Sequence, residues 1–576
     1  MKTNLRPRNQ QGGYALLLVM VFLGLSVLLL AGTMSWTSES TRLTDRNNEY
    51  FTTAAAAEAA TEKVLVQLER DYIHFGDGVV YKNLGSYGNV IPTTSDDSYW
   101  GSYSFVNPLT GSAGTYVDRL STPAVATLDG QYSGLNGYKS TYRITSNASY
   151  NNSRYGIVAG VRQDIAVEAI PLFQFAIFYT MDLEINPSPT MNVTGRVHSN
   201  GDIYTQPSST LTFSNDVTSS GQIYATSMPT DPSNRGISNP SVVYKGEHDS
   251  GTSSLNLPIG TSNTPDSVFE VLKTPPPGED PLSAIGTNRF YNKADVIILV
   301  SNDTAYVTGG ISEQTTRIPT NEWSTFLTTT NSFYNARESS TVHSVDVDVA
   351  KLGTWISSSS NTVTAKLSGK TAPNIVYVAD FRTSAGEPGV RLLNGEQLPA
   401  TGLTVATPDP IYVQGNYNTK DANHDSKNSN NTTYTAPAAI IGDAITVLSG
   451  NWADANSRNS LSGGTRNAND TTVNAAFLGG IVPTTSASYS GGVENFPRFL
   501  ENWSGKNFWY NGSMVVMFNS RTAIAPWGTG TPYYNPPNRN WAFDKNFYDV
   551  AKLPPGTPQI LYVERVGWTL QTAGTP

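Results

Sequence analysis

One uninterrupted apolar segment near the N-terminus constrains this chain more than any other feature. Residues 14–34 carry no charged side chain, and the residues before them include Lys2, Arg6 and Arg8 but no acid. A helix rises about 1.5 Å per residue, so the segment spans roughly 30 Å, the thickness of the hydrocarbon core of a bilayer. Because basic flanks stay in the cytoplasm, we expect a single-pass membrane helix with a cytoplasmic N-terminus and an exported remainder.

Three kinds of N-terminal segment share this pattern. A cleaved secretory signal has a shorter apolar stretch, about 7–15 residues, and small residues at its cleavage site. The nearest candidate site here, residues 30–32, has a bulky leucine at the outer position. A plain signal anchor fits the length but does not explain the glycine pair, Gly12 and Gly13, which stands where the basic leader meets the apolar run and is followed by the aromatic Tyr14. The third kind of segment is one in which this glycine step has a role.

The helix is expected to continue far beyond the membrane. Residues 35–71 contain no proline, and residues 53–65 are dense in strong helix formers. Val64, Leu65 and Leu68 then form an apolar stripe at helical spacing. Together these segments predict a helix of about 60 residues, or ~90 Å. A membrane anchor needs no such extension, whereas a subunit that packs its helix beside others in a filament does.

This N-terminus resembles that of type IV pilins, and most closely the PilX-type minor pilins and the related secretion pseudopilins. The resemblance rests on the basic leader, on Gly13 followed by an aromatic residue, on the apolar run and on the Ala/Glu-rich continuation. It implies cleavage by a prepilin peptidase after Gly13, with Tyr14 as the new N-terminus, and partners among other pilin subunits and the pilus assembly machinery. Major pilins carry glutamate as the fifth residue after that glycine, where this chain has Leu18. The departure favours a minor subunit over a shaft subunit.

The exported remainder is predicted to be mostly β-structure. Charged residues make up only 14% of the 576 residues, while Gly (49) and Tyr (30) are abundant, a balance that suits short strands and many turns. The chain has no cysteine, which excludes disulfides, thiolate metal sites and a catalytic thiol. A net charge of −9 argues against a nucleic-acid partner, since such proteins need a basic surface.

Composition and patterning divide the chain into segments, and the predicted class is α+β, mostly β. The segments are a basic leader (1–13), the transmembrane and extended helix (14–73), a pilin-like antiparallel sheet region (74–185), a β-rung repeat with an insertion (186–288), a small α+β unit (289–388) and a β-rich body with an aromatic C-terminal cap (389–576). Alternation in residues 138–144, with apolar runs at 157–161 and 165–170, predicts the antiparallel strands.

A short internal repeat marks the body. Residues 197–204 return 20 residues later as 217–224, with Val, Ser, Gly, Ile and Tyr in register. A strand and a glycine turn in each copy are typical of a right-handed β-solenoid, but two hairpins in one sheet fit the same residues. The remaining predictions are a long loop at 226–288, a buried strand at 294–300, and short helices at 321–337 and 489–503.

One string of residues resembles a metal site. Asp421, Asn423 and Asp425 place oxygen ligands at alternate positions, as a calcium loop does. Ser426 stands where such loops have glycine, and Thr432 stands where they have a bidentate glutamate. A solvated polar loop explains the same residues, so the sequence predicts no cofactor, with these three residues as the candidate calcium ligands.

The sequence contains no recognisable catalytic motif. Its five histidines stand in no metal-binding spacing, and no nucleophile elbow or phosphate loop occurs. The alternative class is a membrane-anchored, carbohydrate-active β-helix enzyme, which needs two carboxylates at a fixed separation across a groove. The candidates are Asp202, Asp216, Asp346, Asp348 and Glu494. Asp346 and Asp348 alternate with valines and are expected on the solvent side of their strand.

Aromatic residues cluster near the C-terminus, either as a carbohydrate platform or as a cap over the last rung. They are Trp527, Tyr533, Tyr534, Trp541 and Phe543. The sequence thus favours an exported, pilin-like structural or binding protein without enzymatic activity. We expect it in the bacterial inner membrane, with its body in the periplasm or outside the cell on a pilus. Surface glycans or other cells are candidate partners of that body.

Overall fold

The chain is described by a computed structural model that covers residues 12–234, 236–302, 305–309, 317–358, 360–363, 372–383, 386–528 and 532–572. A very long helix leads into an antiparallel sheet, and a large body of mostly parallel strands follows. The predicted class, α+β and mostly β with a long N-terminal helix, is confirmed. The helices are α1 (Gly12–Phe75), α2 (Asp77–Lys82), α3 (Leu84–Tyr87), α4 (Pro265–Phe269), α5 (Ala284–Asn288), α6 (Phe290–Lys293), α7 (Thr320–Trp323) and α8 (Val349–Ser357).

Most strands in the described residues are short, and five have nine residues or more. The first fifteen are β1 (Tyr103–Val106), β2 (Tyr116–Arg119), β3 (Ala124–Thr127), β4 (Asn136–Tyr150), β5 (Val158–Pro171), β6 (Phe175–Tyr179), β7 (Leu183–Ile185), β8 (Met191–Val193), β9 (Arg196–Ser199), β10 (Ile203–Thr205), β11 (Leu211–Phe213), β12 (Val217–Ser219), β13 (Ile223–Tyr224), β14 (Val242–Tyr244) and β15 (His248–Ser250).

The remaining strands follow after α6. They are β16 (Val296–Val300), β17 (Ala305–Gly309), β18 (Leu327–Asn335), β19 (Ser340–Asp348), β20 (Ile375–Asp380), β21 (Glu387–Leu393), β22 (Leu403–Ala406), β23 (Ile411–Gln414), β24 (Ala438–Gly442), β25 (Ile445–Leu448), β26 (Thr471–Asn474), β27 (Ala476–Ile481), β28 (Arg498–Phe499), β29 (Asn507–Gly512), β30 (Met514–Asn519), β31 (Asn538–Phe543) and β32 (Gln559–Thr572).

The head sheet, which we define as β1–β5 with β32, packs against the C-terminal half of α1. Its order is β1-β4-β5-β32, and β2 and β3 also pair with β4. The predicted strands lie in β4 and β5, but β5 runs unbroken through residues 162–164, where the sequence indicated a gap. The gap closes because Asp164 forms an ion pair with Arg143 on β4, with 2.8 Å between Oδ1 and Nε. The sequence boundaries placed β32 in the C-terminal body, whereas this strand pairs with β5 along its length.

The body is a stack of turns, here called the coil stack, in which each turn adds a strand to neighbouring sheets. The first turn contains β6, β7 and β8, and the second contains β9, β10 and β11. The repeated residues pair in parallel, with Val197 opposite Val217 and Ile203 opposite Ile223. The 20-residue repeat therefore forms stacked turns, and the hairpin alternative is wrong. Equivalent aliphatic side chains lie above one another in the core of the stack.

The coil stack is assembled from two stretches of chain that meet end to end. The largest sheet has the order β15-β12-β9-β6-β30-β27-β24-β22-β20-β16-β17, in which β6 from the first stretch pairs in parallel with β30 from the second. A second sheet has the order β18-β19-β21-β23-β25-β28. Residues 289–388, which the sequence set apart as a small α+β unit, share these sheets through β16, β19 and β20.

Three local predictions in the body are wrong. Within 321–337, only the end of α7 is helical, and β18 pairs antiparallel with β19 because Leu327 and Phe333 reach the core from an extended chain. Within 489–503, the structure has a single 3-10 turn at Val493–Asn495 followed by β28. Within the predicted loop 226–288, β14 and β15 continue the coil stack by pairing with β11 and β12.

Candidate functional site

The N-terminal half of α1 stands free of the rest of the protein. Residues 14–48, here called the projecting segment, are exposed throughout. At 1.5 Å per residue they extend roughly 50 Å. By length and composition, α1 is the one helix among the described residues that could cross a membrane. A continuous apolar surface of this size is unfavourable in water and is typical of a segment buried in lipid or against other helices.

The C-terminal half of α1 is attached to the head sheet by small and then larger apolar side chains. Ala57, Ala60, Val64 and Leu68 lie three or four residues apart and are fully buried. The alanines allow the sheet to approach the helix backbone closely, while Val64 and Leu68 pack among sheet residues such as Ile144. This spacing explains why α1 continues beyond the length that a bilayer requires.

Polar contacts fix the rotation of α1 on the head sheet. Gln163 Nε2 donates to Thr61 Oγ1 at 2.8 Å, in a buried position between the helix and β5. Just beyond the helix, Asp77 at the start of α2 accepts hydrogen bonds from Tyr142 Oη (2.6 Å) and Ser140 Oγ (2.8 Å). Burial, together with the Asp77 carboxylate, raises the pKa of Tyr142, so its hydroxyl stays a donor. These contacts fix the C-terminal half of α1 to the head sheet.

The predicted processing residues lie at the start of α1. The described part of α1 starts at Gly12, so the Gly13–Tyr14 bond lies within the helix. Tyr14 is 84% exposed, and Leu18 is exposed four residues further along. The structure places this bond on the projecting segment, away from the head sheet. Cleavage after Gly13 stays a prediction.

The predicted calcium ligands lie in one polar loop, and both aspartates among them already accept hydrogen bonds within it. Asp421 Oδ1 accepts from the backbone N–H groups of Asn423 and His424, both at 2.7 Å, and these bonds lower the pKa of Asp421. Asp425 accepts from the backbone of Lys427 and forms an ion pair with its Nζ at 3.2 Å. Within the described parts of the chain, no group of three or more His, Asp or Glu residues is arranged to hold a metal.

Two of the candidate catalytic carboxylates connect successive turns of the coil stack. Asp202 Oδ1 accepts from the backbone N–H of Gln222 at 2.7 Å, one turn further along. Asp216 Oδ1 accepts from the backbone N–H of Glu247 at 3.1 Å. Asp216 Oδ2 also lies 2.7 Å from Arg196 Nη2. Both carboxylates therefore have a structural partner already.

Asp346 and Asp348 have different environments, and the expectation that both face solvent is wrong for Asp346. The Asp346 carboxylate is buried and receives two hydrogen bonds from Arg391, at 2.9 and 2.6 Å. Asp454, from a later turn, lies 2.5 Å from the same guanidinium and covers the pair. Asp348 caps α8 by accepting from the backbone N–H of Lys351 at 3.1 Å.

The C-terminal aromatic residues do not form one cap. Trp541 and Phe543 belong to β31, which pairs in parallel with β29. Trp527 and Tyr534 instead line a groove together with Glu494. The sequence could not reveal this groove, because its walls come from four separate stretches of chain. The predicted carboxylates are thus distributed over different elements of the body.

No protein-family model matches this chain, and no curated protein matches it. Among solved structures, the competence-associated pilin ComZ from Thermus thermophilus aligns with 90% of this chain and 98% of its own length. The two share 10% sequence identity and superimpose with a TM-score of 0.29. Most of the geometry differs at that score, so the case for a function rests on the chain's own helix and sheets.

Proposed function

We propose that this protein is a pilin-like subunit, a minor component of a type IV pilus or secretion pseudopilus. The observation that carries the proposal is a single unbroken helix of 64 residues, apolar and exposed in its first half and packed on an antiparallel sheet in its second half. The first half anchors the subunit in the bacterial inner membrane before assembly. After assembly, it packs against the helices of neighbouring subunits and so connects the body to a filament.

The apolar side chains of the projecting segment support both steps. Each large aliphatic or aromatic side chain left in water forgoes about 1.5–3 kcal/mol of burial free energy. Leu17, Phe22 and Leu28 are more than half exposed, along with most of their neighbours. A bilayer requires about 20 apolar residues, and the exposed polar residues 35–48 extend the helix well beyond it. A rigid extension of that length gives neighbouring subunits a surface along which to pack.

The proposed role of the body is to bind rather than to catalyse. It is carried into the periplasm or out of the cell by the helix, where it serves adhesion, aggregation or control of assembly. The contacts of Asp202, Asp216, Asp346 and Asp348 support this role, since each carboxylate is engaged by a backbone N–H or an arginine. Leu18, in place of the glutamate that major pilins carry, supports a minor subunit.

The mass of the N-terminus of protein recovered from cells tests the leader. We expect the chain to begin at Tyr14, and we expect Gly13→Val to leave the leader attached. Gly24→Val is the matched control, because a Cβ at Gly24 meets no atom within 4 Å and the apolar run is preserved. An intact leader on the wild-type protein, or a mature end near residue 33, would contradict the proposal.

Photo-crosslinking tests the packing of the helix in the filament. A photoreactive amino acid at Leu28, on the projecting segment, should yield adducts with other pilin subunits in the sheared filament fraction. The same amino acid at Tyr81, which is 57% exposed beside the head sheet, is the matched control and should yield few. Adducts with lipid alone at Leu28, or no protein in the filament fraction, would indicate a plain membrane anchor.

A further inference from the structure

A groove of about 480 Å³ is open on the coil stack, where four stretches of chain meet. Its walls are the loop between β7 and β8, Ser233 in the connection between β13 and β14, the residues around the 3-10 turn before β28, and Trp527 with residues 534–539, which lead into β31. We call it the aromatic groove. The residues that matter most for its chemistry are Tyr489, Glu494, Asn495, Trp527, Tyr534 and Arg539.

One wall of the aromatic groove consists of aromatic rings held in a fixed arrangement. Trp527 packs edge-to-face on the buried Tyr489, with 5.6 Å between ring centroids. Its Nε1 donates to Tyr534 Oη at 3.0 Å, and that hydroxyl donates in turn to Asn495 Oδ1. Trp527 and Tyr534 are only half-buried, so part of each ring remains available to a ligand.

A glycine allows the indole to lie against the backbone. Gly491 has a φ of 95°, and a Cβ there would approach Trp527 Cγ to 2.8 Å. Any larger residue is therefore strained by its backbone and would also displace the ring. Rings positioned in this way before a ligand arrives lose little conformational freedom on binding, which favours affinity.

The other wall supplies hydrogen-bonding groups. Arg539 Nη2 donates to Asn495 Oδ1 at 3.2 Å, while Arg539 Nε is buried with no hydrogen-bond partner within the described residues. Glu494 is buried at the base, where its Oε2 accepts from the backbone of Asn186 at 3.4 Å. The groove thus has guanidinium donors, carboxylate acceptors and an amide beside the rings. Such groups can donate to the oxygen of a ligand hydroxyl and accept from its hydrogen.

These features identify the class of ligand. A sugar ring presents C–H faces to an aromatic ring and hydroxyl groups at its edge, so it matches an aromatic wall beside a polar one. The charged residues that line the described groove, Glu494 and Arg539, have opposite signs. The groove therefore lacks the excess of positive charge that a nucleic acid or another polyanion requires.

We propose that the aromatic groove binds a neutral saccharide chain. Its sugar rings lie on Trp527 and Tyr534, and its hydroxyl groups exchange hydrogen bonds with Asn495, Arg539 and Glu494. This inference goes beyond the role of a filament subunit and stands on the groove residues alone. Loss of saccharide binding would leave the assignment of the helix untouched, and failure of filament packing would leave the groove untouched.

Calorimetric titration of the full chain in a detergent without a sugar headgroup tests the groove. The probes are hexasaccharides of cellulose, chitin and xylan, with a polygalacturonate hexasaccharide, an oligodeoxythymidylate and a proline-rich peptide as the alternative ligands. At least one neutral hexasaccharide should bind at millimolar concentration, more tightly than the alternatives. We expect Trp527→Ala to weaken that binding about tenfold or more, because it removes the stacking surface.

Two further variants separate loss of the site from loss of the fold. Trp527→Phe keeps a ring in place and should retain part of the affinity. Trp568→Ala removes an exposed tryptophan from β32 in the head sheet and should change nothing. Three outcomes would overturn the proposal: no binding of any neutral hexasaccharide, tighter binding of the acidic sugar, DNA or peptide, or equal binding by the wild type and Trp527→Ala. Shortening of the saccharide during incubation would contradict the separate proposal that the body does not catalyse.

Discussion

Truncation of Leu68 to alanine tests how α1 is attached to the head sheet. Leu68 is fully buried in a cluster with Val64, Tyr72, Ile144 and Val167. Replacing a buried leucine with alanine removes its transfer free energy and leaves a cavity, at a cost of about 2–5 kcal/mol. We take about 3 kcal/mol for this site, because the cluster joins a helix to a sheet and can collapse only in part. That cost corresponds to a roughly 100-fold rise in the population of locally opened molecules.

Hydrogen exchange measured by mass spectrometry on the full chain resolves this effect by region. Peptides from residues 57–72 and from β4 and β5 should exchange faster in Leu68→Ala, by up to about 100-fold where exchange follows local opening. Peptides from the coil stack should be unchanged. The readout is regional because the contact is local, and an unfolding signal from the whole chain would average it with the coil stack.

Val66→Ala is the matched control for this prediction. Val66 lies on the opposite side of the same helix and is 62% exposed, so its truncation should change stability by less than about 0.5 kcal/mol. If the two variants exchange alike, the apolar contact described above does not hold the helix. If Leu68→Ala accelerates exchange equally in the coil stack, the head sheet and the coil stack open as one unit, which contradicts the prediction of a regional effect.

Two further predictions concern buried carboxylates in the body. Asp346→Ala should cost about 3 kcal/mol, because Arg391 loses two hydrogen bonds and keeps Asp454 and Gln414 as partners. Asp348→Ala removes a helix cap and should cost about 1 kcal/mol. Thermal unfolding of both variants checks this ratio, and similar shifts of the melting temperature would contradict it. Burial raises the pKa of Glu501 from 4.5 to about 7. The folded protein therefore binds this proton more tightly than the unfolded chain does. As the pH rises from about 4.5 to about 7, the stability of the folded protein falls by up to about 3 kcal/mol. Glu501→Gln should flatten the decline in melting temperature between about pH 5 and about pH 7.5, and an unchanged slope would show that this carboxyl group does not titrate as described.

Local signals in the sequence predicted α1 and the strand content of the body. The extent of α1 could be read because helix formers and an apolar stripe continue through residues 53–68, and the backbone hydrogen bonds of a helix join residues only a few positions apart. The repeat at 197–224 predicted stacked strands for a similar reason. It did not distinguish parallel turns from hairpins, since both place the same side chains at the same spacing.

Long-range contacts account for what the sequence did not reveal. Asp346 looked solvent-facing because its strand alternates, but Arg391 and Asp454 come from later turns and cover it. Most of the helices expected at 321–337 and 489–503 are absent from the described structure, because residues there pair with neighbouring strands as β18 and β28. The aromatic groove joins residues more than 300 positions apart in the chain, such as Asn186 and Trp527. No local pattern contains that information.

The pairing of β5 with β32 has a consequence for how such a protein can change and mature. Pro171 at the end of β5 lies opposite Gln559 at the start of β32, so residues 172–558 leave the head sheet and return to it at one place. These residues, here called the cargo, are thus an insert within a hairpin, and both ends of the insert leave the head sheet side by side. The head sheet, in turn, gains its edge strand only after the entire cargo has been synthesised and exported. A subunit interrupted anywhere within the cargo lacks that strand, so completion of the cargo and completion of the assembly unit are the same event.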